Sequence, residues 1–228
     1  MKKKFTLIEL LVVVAVIAIL LSILLPSLGN ARQKSKLLLC LGNQKQISAA
    51  TQLFLNNNAA QFPYVQFSGV DTNTGRFWVG KKGSNNNYKI NVTQRPINQY
   101  LGYTQDNIEV PVAACPLNMT NNQYKKSGSN YMAAARQEHD DDFDSESKKT
   151  SIYLAQVNSA STMVLFGETG AWHYSYNPNN PWKNGSQFHS SGEPEYSFSF
   201  VDGHAKNLKI HAGLGVNLES EILNFRNF

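Results

Sequence analysis

Charged side chains are scarce in this chain: Asp, Glu, Lys and Arg together make up 16% of its 228 residues. Of the net charge of +5, three charges are Lys2, Lys3 and Lys4. No later stretch clusters Lys and Arg densely enough to follow a phosphate backbone, so nucleic acid is not an expected partner. Cysteine is nearly absent too, with only Cys40 and Cys115. Two cysteines outside any CxxC or Cys/His pattern exclude a zinc ribbon and a disulfide-dense scaffold. No G-x-S-x-G, Walker A, Rossmann or H-E-x-x-H pattern occurs, so the chain is read as a non-enzyme. No fixed-period repeat occurs, which argues against a solenoid or propeller. The length suits one anchor segment and one domain with a modest core.

What is present is sharply divided. Mean hydropathy is −0.35, an average over an apolar N-terminus and a remainder rich in Asn, Ser, Gln and Gly. From Phe5 to Leu25 only Thr6, Glu9 and Ser22 interrupt the apolar run. As a helix that run spans roughly 30 Å, the thickness of a bilayer core. Lys2 to Lys4 ahead of it place the N-terminus in the cytoplasm and the rest outside. A secretory signal peptide fits less well, because the run exceeds a usual apolar region and no A-x-A site follows it. A plain single-pass anchor leaves Glu9 unexplained, since a carboxylate in a spanning helix costs about 2.5–3.5 kcal/mol unless it is paired or near the surface.

Beyond the apolar run, Pro26 removes a backbone donor and predicts a kink, after which the helix resumes. Ile47, Ala50 and Phe54 recur at helical spacing, so one helix is expected from about Phe5 to Asn56. Its outer half should lie under a soluble head. Strands are expected near Phe77–Val79, Thr162–Phe166, Tyr196–Val201 and Ala205–Ile210, with polar loops between them. Tyr196, Phe198 and Phe200 alternate with small residues, and Asp202-Gly203 reads as a type I′ turn. The hairpin's aromatic face is expected to pack on the helix. Cys40 and Cys115 lie on the same side of the anchor. They would form one disulfide closing a loop of about 75 residues if that side is oxidising, or else two buried thiols.

Several residue groups could carry chemistry. Glu168, His189, Asp202 and His204 are of the types that hold metals or move protons, but their spacing does not force them together. Asp140, Asp141, Asp142 and Asp144 concentrate carboxylates as a calcium loop would, without the EF-hand pattern, and calcium is the one cofactor they suggest. Trp172, Tyr174, Tyr176 and Trp182 could form a glycan-stacking face or simply serve the core.

The segment KKKFTLIELLVVVAVIAILLSILLP resembles the N-terminal cleavage and methylation segment of type IV prepilins and type II secretion pseudopilins. The resemblance covers about thirty residues. It implies cleavage between Lys4 and Phe5 by a prepilin peptidase, N-methylation of Phe5, and assembly through Glu9 and the Pro26-containing helix. Where the family usually has Gly before the cut, this chain has Lys4. Cys40-Leu41-Gly42-Asn43-Gln44-Lys45-Gln46, with the later Cys115-Pro116, resembles a large bacterial group of pseudopilin-like proteins, and this favours the Cys40–Cys115 disulfide. His189 followed by Asp202-Gly203-His204 is similar to that group's C-terminal motif, of unknown role, with twelve residues between His189 and Asp202, a longer interval than the group's.

These features lead to an α+β, pilin-like fold in which a long N-terminal helix, membrane-spanning in its first half, packs on an antiparallel sheet with irregular loop insertions. Residues 1–4 form the leader, 5–25 the transmembrane helix, 26–57 its outer continuation and 58–228 the head. The expected partners are the membrane, a prepilin peptidase, other pilin-like subunits and an inner-membrane assembly platform. The expected function is that of a structural subunit of a pseudopilus or pilus-like fibre. The alternative is an anchored surface protein whose head binds glycans or another ligand.

Overall fold

The structure is a computed structural model that describes residues 6–63, 77–85, 88–117, 122–133, 153–171 and 195–209. Helix α1 runs from Leu7 to Asn57, 51 residues, and matches the expected span to within two residues. It begins where Thr6, in extended conformation, accepts from the Glu9 backbone N–H at 3.2 Å. It ends at an asparagine run, where Asn58 donates from its backbone to Leu55 O and from its side chain to Phe54 O. Pro26 lies inside the helix, which continues without a break on either side.

The two halves of α1 meet different surroundings. Residues 6–35 are exposed, whereas Cys40, Gln44, Ile47, Ser48, Ala50, Thr51 and Leu55 are buried. Their spacing of three and four traces one face of a 3.6-residue helix. Full burial of Ile47 and Leu55 contributes about 1.5–3 kcal/mol each.

Against this face lies a four-stranded antiparallel sheet in the order β1-β2-β3-β4, with β1 Tyr131–Ala133, β2 Val164–Glu168, β3 Glu195–Phe200 and β4 Ala205–Lys209. The architecture is therefore the expected α+β arrangement of a long helix packed on an antiparallel sheet. On its other flank α1 is covered by residues 77–85 and 88–117, which carry short 3-10 turns at Val92–Gln94, Asn98–Leu101 and Pro111–Ala113. Trp78 packs edge-on to Phe166 of β2 with centroids 5.6 Å apart, and Phe54 of α1 meets Tyr100 edge-on at 5.8 Å.

The hairpin faces the other way from expectation. Gln44 Nε2 of α1 donates to Ser197 O at 2.7 Å and sits 3.0 Å from Ser197 Oγ, so the serine side of β3 faces the helix. Because alternate residues of a strand point to opposite faces, Tyr196, Phe198 and Phe200 lie on the far side of the sheet, where each is fully buried. The small serines let the helix approach closely enough for Gln44 to reach a strand carbonyl, and Gln52 Nε2 donates to Val201 O, in the turn just past β3, at 2.6 Å. By the same alternation Phe166, opposite Ser199 and two residues from Glu168, lies on the helix side, while a shift in register between Val164 and Phe166 sets Val164 opposite Phe200.

Two other local expectations are corrected. The hairpin turn is not type I′: Gly203 is at φ +89° but Asp202 is not in the positive-φ region, and Gly203 N–H donates to Phe200 O. This is the longer loop closed by a left-handed glycine. Phe77–Val79 is buried but joins no sheet. Its carbonyls are taken instead by the fully buried Arg95, whose Nη1 donates to Phe77 O at 3.1 Å and Val79 O at 3.0 Å while Nη2 donates to Ser127 O at 2.7 Å. Burial pushes the guanidinium down to about 9, which leaves it cationic at neutral pH. At the crossing of these segments a Cβ on Gly128 would collide with Lys81 O and with Arg95 Nη2.

Arg95→Met should strand three buried carbonyls and destabilise the head by about 3 kcal/mol or more. Arg95→Lys, which keeps the charge but not the fork, should recover only part of the loss. Urea unfolding followed by tryptophan fluorescence checks this, and an unchanged midpoint in Arg95→Met would refute the role.

Candidate functional site

The first candidate is the free end of α1. Lys4 and Phe5 lie outside the described residues. Thr6 and Glu9 form a reciprocal capping box: Glu9 Oε2 accepts from Thr6 N–H and from Thr6 Oγ1, both at 2.8 Å, while Thr6 Oγ1 accepts from Glu9 N–H. Thr6-Leu7-Ile8-Glu9 thus has a local structural reason for its acidic residue that the sequence reading overlooked, although the T-x-x-E spacing signals it. Both side-chain contacts use Oε2. After the cap, apolar side chains from Leu7 to Leu25 stand exposed, and the most apolar 18-residue window reaches a mean hydropathy of 3.2. By length and composition α1 is a candidate membrane span.

The second candidate lies where α1 enters the head. Cys40 and Cys115 form a disulfide with Cα atoms 5.0 Å apart and a sequence separation of 75. Asn43 Nδ2, on the next turn, donates to Ala114 O at 2.9 Å, and Cys115 N–H donates to Asn130 Oδ1 at 2.9 Å. The residues Cys40, Asn43 and Gln44 of one short motif therefore hold the helix to three separate places: Cys115, its neighbour Ala114, and Ser197 of β3.

Beside the disulfide, between helix and sheet, lies Glu168, fully buried. Tyr131 of β1 stands opposite it in the sheet and its hydroxyl donates to Cys40 O at 3.4 Å. Ser197 donates to Glu168 Oε1 from its backbone at 3.4 Å and from its hydroxyl. Burial raises the Tyr131 phenol well above the usual tyrosine range, and the nearby Glu168 charge adds to the effect.

The third candidate is the hairpin tip. His204 Nδ1 lies 2.6 Å from Asp202 Oδ1, and the same oxygen accepts from the His204 backbone N–H at 3.1 Å. The imidazole stacks on Phe200 at 4.1 Å between centroids and 6° between planes. Asp202 and Gly203 thus shape the turn, and His204 is oriented by it.

These groups do not converge. Glu168 points to the helix side of the sheet, while His204 stacks on the aromatic side, and Ser197 and Asp202 are five residues apart along the chain, roughly 16 Å if extended. His189 lies outside the described residues, as do Asp140, Asp141, Asp142, Asp144, Trp172, Tyr174, Tyr176 and Trp182. The buried Arg95 was not anticipated, and nothing in Arg95-Pro96 signals it. Compared with known protein families, with curated proteins and with solved structures, the chain matches none of them.

Removing the disulfide, by reduction in the presence of a chelator or by Cys115→Ser, should cost the head about 2–4 kcal/mol by releasing a long loop in the unfolded chain. The fall in the urea midpoint measures it, and non-reducing peptide mapping should recover Cys40 linked to Cys115. An unshifted midpoint would mean that Asn43 and Gln44 suffice to hold the helix.

Proposed function

We propose that this chain is a structural subunit, pilin-like in the sense of a type II secretion pseudopilin or type IV pilin, that assembles into a fibre through the N-terminal half of α1. The observation that carries the proposal is the division of one helix. Its inner half is capped, apolar and free of the head, while its outer half is bonded covalently and by glutamines to the head. A soluble domain has no use for some twenty exposed apolar residues, but a subunit that is stored in a bilayer and then bundled with its neighbours does.

In this reading the precursor enters the cytoplasmic membrane with Lys2 to Lys4 inside and the head outside. A prepilin peptidase cuts before Phe5, and the new amine is methylated. The capping box survives the cut, because it uses the Thr6 N–H and side chain and nothing upstream. It also leaves Glu9 Oε1 with lone pairs to offer, so the same carboxylate that starts its own helix can accept from the Phe5 amine of an adjacent subunit once water is excluded. An inner-membrane platform would supply the assembly work.

Mass spectrometry of the membrane-extracted protein should show N-methyl-Phe5 at the N-terminus with residues 1–4 gone; an intact Met1 would refute processing. Three variants separate the two tasks of Glu9. Glu9→Gln keeps a capping box but loses the charge, and should assemble as poorly as Glu9→Ala. Thr6→Ala removes the cap, at about 1 kcal/mol of local helix stability, yet keeps the charge and should still assemble. Fibre yield by electron microscopy decides, and wild-type yield from Glu9→Gln would show that the cap and not the charge is required.

A further inference from the structure

Among the described residues, Cys40 Sγ, Cys115 Sγ and a carboxylate oxygen of Glu168 lie within 4.8 Å of one another, all three residues fully buried. Three elements bring them together: the head-entry turn of α1, the loop after the 3-10 turn Pro111–Ala113, and the last residue of β2. Two thiols and a carboxylate are a donor set for a thiophilic cation, because Ca2+ and Mg2+ take oxygen ligands whereas thiolates select Zn2+ and its neighbours. Tetrahedral zinc with bonds of about 2.3 Å to sulfur and about 2.0–2.2 Å to oxygen sets its ligand atoms about 3.3–3.8 Å apart. The three donors lie within 4.8 Å of one another, so a site of that size asks for small shifts of the side chains once the two sulfurs part from bonding distance.

A further oxygen belongs to a neighbouring side chain of α1. Gln44 lies one helical turn beyond Cys40, and its Nε2 sits on the Ser197 hydroxyl that donates to Glu168. Its Oε1 is fully buried and has no hydrogen-bond partner among the described residues. Ser197 is then an outer-shell donor that orients the carboxylate, as supporting residues of metal sites do.

We propose that when Cys40 and Cys115 are reduced, their thiolates and Glu168 bind one Zn2+ between α1 and the sheet, with Gln44 Oε1 available as fourth ligand, and that disulfide formation expels the ion. Zinc with two thiolates is formally neutral, as is the disulfide, so the exchange leaves the buried charge unchanged. In the oxidation one thiolate attacks an external disulfide and displaces the first leaving thiolate. The second cysteine thiolate then attacks the mixed disulfide and displaces the other. Two electrons pass to the external disulfide, the Cys40–Cys115 bond forms, and Zn2+ is released. The ion would hold the helix to the head before oxidation at the same place where the disulfide holds it afterwards.

The test uses the full chain in detergent, reduced with a phosphine under anaerobic conditions and titrated with Co2+ and then Zn2+. One equivalent of Co2+ should give thiolate-to-cobalt charge-transfer absorption that Zn2+ bleaches, and Zn2+ should raise the Tm of the reduced chain. Glu168→Gln should weaken Zn2+ binding at least tenfold, Cys115→Ser should abolish the thiolate bands, and the oxidised chain should bind none. Adding a small disulfide should release one Zn2+ per chain to a chromogenic chelator. Absence of thiolate bands in the reduced wild type, or equal affinity in wild type and Glu168→Gln with native circular dichroism, would overturn the proposal. Should Glu168→Gln fail to fold, the wild-type cobalt spectrum and the release stoichiometry decide it alone.

Discussion

The attachment of α1 at Cys40 is the constraint on which the rest of the head depends. A helix that leaves an apolar stretch and enters a folded domain has no intrinsic stop along its axis, since sliding by one turn presents nearly the same face. The bond to Cys115 removes that freedom, and the turn that carries it also places Asn43 against Ala114 and Gln44 against Ser197. With the axial position set, Ile47, Ala50 and Leu55 fall opposite Trp78, Val92, Ile97 and Phe166, and the core closes on both flanks of one helix.

The contact between α1 and the sheet combines apolar residues with buried polar side chains. Gln44, Ser48 and Thr51 are fully buried on the helix, and Ser197 and Ser199 are fully buried on β3. Such a contact gains less from apolar transfer than a leucine-on-phenylalanine interface would. It gains direction instead: amide donors aimed at strand carbonyls fix the rotation of the helix about its axis, which a greasy surface leaves loose. The aromatic residues of β3 are released to the far face of the sheet.

The architecture was legible in the sequence wherever periodicity spoke. The length of α1 and the pairing of β3 with β4 follow from the apolar run, the spacing of Ile47, Ala50 and Phe54, and the alternation from Tyr196 to Phe200, whereas the point at which α1 meets the head lies well beyond Pro26, near Cys40. Which face of an alternating strand meets the helix was not legible, because period two marks two faces without ranking them when both are buried. Phe77–Val79 misled for a related reason. Its β-propensity is real, but a single arginine eighteen residues from Phe77 supplies the donors that a neighbouring strand would have provided. Of the candidate site residues, the pairing of Cys40 with Cys115 was favoured by the resemblance and not by any local pattern, and the turn at Asp202 and Gly203, though not its type, could be read locally. The burial of Glu168 beside the disulfide could not, since it is set by the register of β1, β2 and β3 together.

Between Leu25 and Ser35 the helix crosses about 15 Å with every residue exposed. That interval, with Arg32 and Lys34 along it, is a strut, and the helix is bolted soon after it, at Cys40. A load applied along α1 from its apolar end would otherwise meet the glutamine bonds one after another, and hydrogen bonds strained in series part at low force. With a covalent bond ahead of the glutamines, tension passes from the helix into the loop at Cys115 before it reaches the sheet, so the domain is dragged as one body and its interior is spared the strain.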